Sequence, residues 1–324
     1  MQPNRHFAAG GKRDIVARSD TGTAARKNAD GRAGSPGTVG RQAMRVELRH
    51  AAGVLVMGVV AAAAGQAAAE TLLERGTYLM NSIVNCGNCH TPQNENGPIP
   101  GMELAGGLVI EEEAFTVVSQ NITPHETGIG GWTDEELETA IREGIRPDGS
   151  LIGPPMPFEV YRGLSDTDVA AIIAYLRQVE PVENETPPNA YDIPLPPAYG
   201  PPVDSVPDVD RGDPVAYGEY LAGPAGHCIV CHSGPGPHGG PDIVNALGAG
   251  GFSFHGPWGI SVASNLTPTG IGHYSDEELK TIITTGVRPD GSHLLPPMPV
   301  AGYANMTDED VDAIIAYLRS LPPK

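Results

Sequence analysis

The sequence predicts an all-α chain built as two tandem, homologous domains joined by a proline-rich linker, and three observations carry that expectation. A Cys-x-x-Cys-His motif occurs twice, as Cys86-Gly-Asn-Cys89-His90 and Cys228-Ile-Val-Cys231-His232. What surrounds the first motif recurs around the second across a whole domain length. Helix-capping signatures fall at matching positions in both copies, while no convincing run of alternating strands appears.

Cys-x-x-Cys-His is the signature of covalent haem attachment: both thiols add to the porphyrin, and the adjacent histidine is set to ligate iron from one face. Two motifs imply two covalently bound haems, attached through Cys86, Cys89, Cys228 and Cys231 and ligated by His90 and His232. That uses all 4 cysteines of the chain. Two Cys-x-x-Cys pairs could also hold one tetrahedral zinc or form redox disulfides, but neither needs a histidine directly after each second cysteine.

The repeat runs in a steady register. Gly76-Thr-Tyr78-Leu79 returns as Gly218-Glu-Tyr220-Leu221, an offset of 142 residues. Ala105-Gly-Gly107 and Asn121-Ile-Thr-Pro124 return at Ala249 and Asn265, offset by 144. From Gly128-Ile-Gly130 onward the offset is again 142: Arg146-Pro-Asp-Gly149 matches Arg288 to Gly291, Pro154-Pro-Met156-Pro157 matches Pro296 to Pro299, and Ala171-Ile-Ile-Ala-Tyr175 matches Ala313 to Tyr317.

A sixth iron ligand should appear in both halves. Met156 and Met298 pass, each 66 residues after its motif histidine in the same Pro-Pro-Met-Pro frame. Met80, Met102 and Met306 have no methionine partner across the repeat, and the histidines outside the motifs have no histidine partner. Flanking prolines fix the local backbone, so the segment can present a thioether without helix or sheet hydrogen bonds. His/Met ligation raises haem potential and fills the coordination sphere, which suits electron transfer.

Thr133-Asp-Glu-Glu136 and Ser275-Asp-Glu-Glu278 read as capping boxes, with acidic first turns that complement the helix dipole. Gly144 and Gly286 mark the ends of these helices. Ser165 and Thr307 open a further helix in each half, with apolar faces made by Val169, Ile172, Ile173 and Leu176 and by Val311, Ile314, Ile315 and Leu318. A helix leading into each haem motif draws on Leu72, Leu73, Tyr78 and Leu79 in the first domain. Arg146, Arg288, Trp132 and Tyr274 are paired across the repeat and are candidates to meet haem propionates.

Together, G-x-Y-L, C-x-x-C-H, A-G-G, N-I-T-P, G-I-G-x-W-T-D-E-E-L, R-P-D-G, P-P-M-P and A-I-I-A-Y-L-R resemble class I c-type cytochrome domains. Such domains occur in the cytochrome subunits of periplasmic alcohol, gluconate and sugar dehydrogenases. The resemblance covers roughly residues 72–178 and 214–322 and implies that the motif histidines and the P-P-M-P methionines are the axial pairs. Family members often carry three such domains and a membrane-binding tail, whereas this sequence has two.

At the N-terminus, Arg41, Arg45 and Arg49 precede an apolar run from Ala51 to about Ala64 and the small residues Ala67-Ala-Ala69, which reads as a signal peptide over residues 44–69. Residues 1–43 read as a disordered or non-native extension ahead of a start at Met44. A long leader and an uncleaved anchor are the alternatives, the run being short for a membrane span. The expected domains are then residues 70–179 and 214–324, with a linker at 180–213 that could bridge the domains or only space them.

Residues 1–69 hold ten of the 20 basic and four of the 39 acidic residues, so cleavage takes the formal charge from −19 to −25. Such a chain does not bind nucleic acid or an anionic membrane by charge, and it meets a membrane only through an uncleaved signal or a partner subunit. The expected function is a periplasmic dihaem carrier of single electrons, with a dehydrogenase as donor and a cytochrome or oxidase as acceptor, and without catalysis of its own. The competing expectation is a dihaem redox enzyme, of peroxidase or thiosulfate-oxidising type, with one open iron. No flavin, quinone-cofactor or nucleotide motif is present.

Overall fold

Helix starts in this chain are written in its caps. In the computed structural model, which describes residues 70–324 except 113–114, 237–239 and 257, Thr71 accepts from the Glu74 N–H while Glu74 reaches back to the Thr71 N–H. This capping box opens α1 (Leu72–Asn81). The expected extension and signal peptide over 1–69 lie outside the described residues.

The first half continues through the one-turn helix α2 (Gly87–His90), the short ribbon of β1 (Gln93–Asn94) and β2 (Gly97–Pro98), and the hairpin of β3 (Val109–Glu112) and β4 (Phe115–Val118). It ends in α3 (Asp134–Glu143), α4 (Phe158–Tyr161) and α5 (Asp166–Leu176). After β5 (Ala190–Tyr191), the second half repeats the plan: α6 (Pro214–Tyr220), a π-helical turn over Leu221–Ala225, α7 (Cys228–His232), β6 (Ser253–Gly256), β7 (Gly259–Val262), α8 (Pro268–Ile271), α9 (Asp276–Thr285), α10 (Val300–Tyr303) and α11 (Asp308–Ser320).

The caps expected at Thr133, Ser275, Ser165 and Thr307 all form, and Gly144 and Gly286 end α3 and α9 in the left-handed conformation. Each half is built on one close helix crossing. A Cβ on Gly76 would lie 2.0 Å from the Ala171 carbonyl oxygen, and one on Gly218 would lie 1.9 Å from that of Ala313. Only glycine lets α1 sit on α5, and α6 on α11, at that distance. The apolar faces expected on α5 and α11 are buried. Leu79 is buried as expected, whereas Leu72 and Leu73 are exposed because they lie in the first turn, ahead of the crossing.

The all-α expectation needs correcting, because three small antiparallel sheets accompany the helices. They were hidden because the hairpins lie on the surface. Among the residues of β3 and β4 whose burial is described, only Val117 is fully buried, so no alternation of apolar and polar residues marks them.

The proline-rich linker is an extended strap bound along the first half. Val182 exchanges hydrogen bonds with Thr123 and Asn121, and Asn184 donates to the Ala105 carbonyl (2.8 Å). Further on, β5 adds to β4 with Phe115 opposite Tyr191, Tyr199 stacks on Phe158 at 4.9 Å, and Ser205 and Val206 donate to Asp166.

The halves meet through a reciprocal exchange. Tyr78 Oη donates to Asp310 (2.6 Å) and accepts from the Thr307 N–H (3.1 Å); its repeat equivalent Tyr220 donates to Asp168 (2.6 Å) and accepts from the Ser165 N–H (3.3 Å). Asp168 is also gripped by Arg75 at 2.7 and 2.9 Å, whereas Tyr217 occupies the equivalent of Arg75 in the second half. Both carboxylates are buried, so these partners offset the cost of removing charge from water.

Candidate functional site

Each Cys-x-x-Cys-His segment is launched by a residue in the left-handed region, Asn85 and its equivalent His227, both at φ 42°. Asparagine and histidine tolerate that conformation better than most residues. The chain then makes one helical turn in which the His90 N–H donates to the Cys86 carbonyl (2.9 Å), so Cys86 and His90 share a face.

Both motif histidines are oriented by the backbone. Nδ1 of His90 lies 2.7 Å from the Gln120 carbonyl oxygen, and Nδ1 of His232 lies 2.7 Å from that of Ser264. Burial lowers the pKa of both rings and favours the neutral form. A neutral ring that donates from Nδ1 keeps the Nε2 lone pair for a metal.

Neighbouring repeat motifs hold this arrangement. The Gly106 N–H donates to the His90 carbonyl (2.7 Å) and the Gly250 N–H to that of His232 (2.8 Å). Gly106 has φ 76°, and a Cβ there would sit 2.5 Å from the Ser119 carbonyl oxygen. Asn121 and Asn265 each accept from a threonine two residues on, and each donates to the chain just after the last helix of its half, at Val182 and Lys324.

In the first half these elements border a mostly apolar cleft enclosing about 990 Å³ of empty space, part of it open to solvent. Cys86, His90 and Met156 all line it, as do Trp132, Arg146 and Tyr161. The apolar walls come from α3, from α5 and from the turn after α1, through residues such as Leu137, Ile172 and Val84. Arg146 donates Nη1 to the Leu151 carbonyl (2.7 Å), which leaves further guanidinium donors beside the cleft. In the second half, Met298 and Tyr274 are half-buried against the core, and Arg288 makes the matching bond to the His293 carbonyl (3.1 Å).

The donor set fits a haem. All four cysteines are free of disulfides. Burial, above all, raises the thiols: Cys86 to about 12, Cys228 to about 11 and Cys231 to about 12. Among the described residues no three His, Cys, Asp or Glu side chains converge as a metal cluster, so a four-thiolate zinc is not assembled.

A cytochrome c family profile matches residues 62–180 and again 215–322. The chain belongs to the cytochrome c family. This cytochrome is 35% identical over 304 residues to the cytochrome c subunit of a quinone-dependent alcohol dehydrogenase from Gluconobacter oxydans, covering 86% of the chain and 61% of the relative. It is 31% identical to the fructose dehydrogenase cytochrome subunit of Gluconobacter japonicus, over 78% of the chain and 53% of that protein. A diheme cytochrome of c-type from Cereibacter sphaeroides is 29% identical, over 73% of the chain and 82% of the relative. The cytochrome thus spans about 60% of the length of the first of these relatives.

Sequence reasoning missed the tyrosines between the two motifs. Burial drives the pKa of Tyr161 and Tyr303 well above that of free tyrosine, with Cys86 and Cys89 adding to the first and Cys228 and Cys231 to the second. Tyr161 also meets the His227 ring of the other half, edge to face at 5.9 Å. Burial, then Cys228 and Cys89, raise the pKa of Cys231. Both tyrosines follow Pro-Pro-Met-Pro at the same repeat offset, which was the available signal.

Proposed function

We propose that this is a periplasmic dihaem c-type cytochrome that accepts single electrons from a dehydrogenase subunit and passes them toward the respiratory chain. Cys86 and Cys89, and Cys228 and Cys231, would hold the two haems covalently, with His90 and Met156 as axial ligands in the first half and His232 and Met298 in the second. When bound, haem supplies a reversible one-electron iron couple, tuned by its axial ligands and surroundings.

The observation that carries this reading is that Met156 lines the same cleft as Cys86 and His90. The chain's own residues orient the imidazole through Nδ1, line the cleft with apolar walls, and join the halves beside the motifs through Tyr161 and His227. A methionine in each Pro-Pro-Met-Pro frame supports a carrier over an enzyme with an open iron. The relatives named as dehydrogenase cytochrome subunits support a dehydrogenase as the donor. The basic and apolar N-terminal stretch supports export to the periplasm, where such haem attachment takes place in bacteria.

Redox titration with optical spectroscopy tests the ligand assignment. Met156→Ala and Met298→Ala should each lower one of two potentials and let carbon monoxide bind at one iron, with haem still attached. An unchanged spectrum and potential in either variant overturns the ligand assignment for that half. Rapid carbon monoxide or peroxide reaction of the unaltered protein overturns the carrier reading.

A further inference from the structure

The repeat exposes a surface that is covered in one half and open in the other. In the first half β5 pairs with the outer edge of β4, placing Ala190 opposite Thr116, and the Val118 N–H donates to Asn189 Oδ1 (2.8 Å). The repeat register equates Thr116 and Val118 with Ile260 and Val262 on β7. Among the described residues no strand pairs with the outer edge of β7, so the equivalent backbone groups of Ile260 and Val262 point outward.

Side chains at this edge are apolar and exposed: Ile260 at 62%, Val262 at 60%, and Leu295 at 47% from the adjoining loop. Leu295 stands where the first half has Gly153, whose missing side chain makes room for the Tyr191 ring. The second half therefore carries an apolar knob in place of the slot that receives its counterpart's strap. Ser261 Oγ donates to the Pro296 carbonyl (2.6 Å) and ties β7 to the loop bearing Met298.

Charge points to the occupant. From Ile243 to Ser275 there is no Asp, Glu, Lys or Arg, in a chain of formal charge −19; the matching stretch of the first half carries Glu103, Glu111, Glu112, Glu113 and Glu126. Soluble proteins ordinarily blunt an open strand edge with charge, proline or a cover. Pairing two copies of this chain would bring two strongly acidic bodies together. An uncharged segment from a different, less acidic partner meets no such opposition.

We propose that β7 and Leu295 form a docking face on which the partner dehydrogenase subunit lays an uncharged, extended, apolar segment as an added strand beside the Met298 loop. The identity of the partner rests on the functional reading above; the mode of docking does not. Electrons then cross between the subunits at the second domain.

Hydrogen exchange tests this on the full protein, alone and with any dehydrogenase subunit isolated with it from its native source. The amides of Ile260 and Val262 should exchange freely in the isolated protein and become protected in the complex, while those of Thr116 and Val118 are protected in both. A complex that leaves Ile260 and Val262 exchanging overturns the docking proposal and leaves the functional reading standing. Protection already present in the dilute isolated protein, or appearing as its concentration rises, assigns the edge to its own chain or to a second copy and also overturns the proposal. Failure of any dehydrogenase to bind overturns both. Ile260→Lys combined with Val262→Lys should weaken the complex about tenfold or more without changing reduction by ascorbate. Val244→Lys, at an 82% exposed site outside the hairpin, should leave affinity unchanged.

Discussion

The two halves of this cytochrome share the crossings, caps and tethers that surround the Cys-x-x-Cys-His motif and differ in the strap that covers only the first among the described residues. Crossing glycines, capping boxes, the backbone tether on each motif histidine and the asparagine hooks recur in both. The strap does not. In the first half it runs from Val182 to Asp208 and is clamped by Arg142, which is buried and donates to the Leu164 carbonyl (2.5 Å) and to Asp166 (2.7 Å). Thr284 replaces Arg142 in the second half. The likeness is thus closest around each Cys-x-x-Cys-His motif, and the difference lies in the strap and the arginine beneath it.

The largest expected effect probes what the halves share. Gly76→Ala and Gly218→Ala should each destabilise by about 3 kcal/mol or more, since neither carbonyl can retreat without moving a helix. Thermal unfolding that separated the two variants by more than their error would break the symmetry of the paired crossings.

Arg142→Thr imports the second half's residue into the first. It removes a buried cation from three partners and should cost about 2–3 kcal/mol in denaturant unfolding. The strap should become susceptible to protease between residues 203 and 208. Loss of stability without strap release would separate the arginine from the clamp.

The interface tyrosines sharpen the contrast further. Tyr78→Phe removes the hydrogen-bond donor facing the buried Asp310 side chain, whereas Tyr220→Phe leaves Asp168 its two bonds from Arg75. The first change should cost about 1–3 kcal/mol and the second about 1 kcal/mol or less. Equal costs would mean that Arg75 gives Asp168 no advantage over Asp310.

The smallest effect is in acid. Hydrogen bonds from Ser205, Val206 and Arg142 hold Asp166 down to about 2, from an ordinary 3.8. A depressed carboxyl stabilises fully above its unfolded value and loses that contribution as pH falls through the folded one. Pepsin cleavage of the 203–208 segment should therefore rise as pH drops from about 4 toward 2. In Asp166→Asn it should already be high at pH 4, and a flat profile in the unaltered protein would remove Asp166 from the clamp.

Legibility in the sequence followed the range of the interactions. Caps at Thr133, Ser165, Ser275 and Thr307 act over three residues and could be read directly. Met156 stood out because the repeat supplied a second copy for comparison, and it lines the cleft with His90. Surface hairpins escaped because their backbone pairing leaves no alternating pattern to read. The strap escaped for a related reason: prolines announce an extended chain but not what it lies against, and its grip depends on residues such as Asn121 and Asp166 that are distant in sequence. Asp168 and Asp310 read as first-turn helix acids, and nothing local revealed that each would be capped by a tyrosine from the opposite half.

That exchange has a consequence for any attempt to divide the chain. Asp310 lies buried where the halves meet, and its side chain is met by a hydroxyl of the first half, as Asp168 is by one of the second. A cut between the domains would take from each carboxylate its donor in the other half and leave water to replace it. The two domains are thus fastened by an exchange in which each gives what it receives.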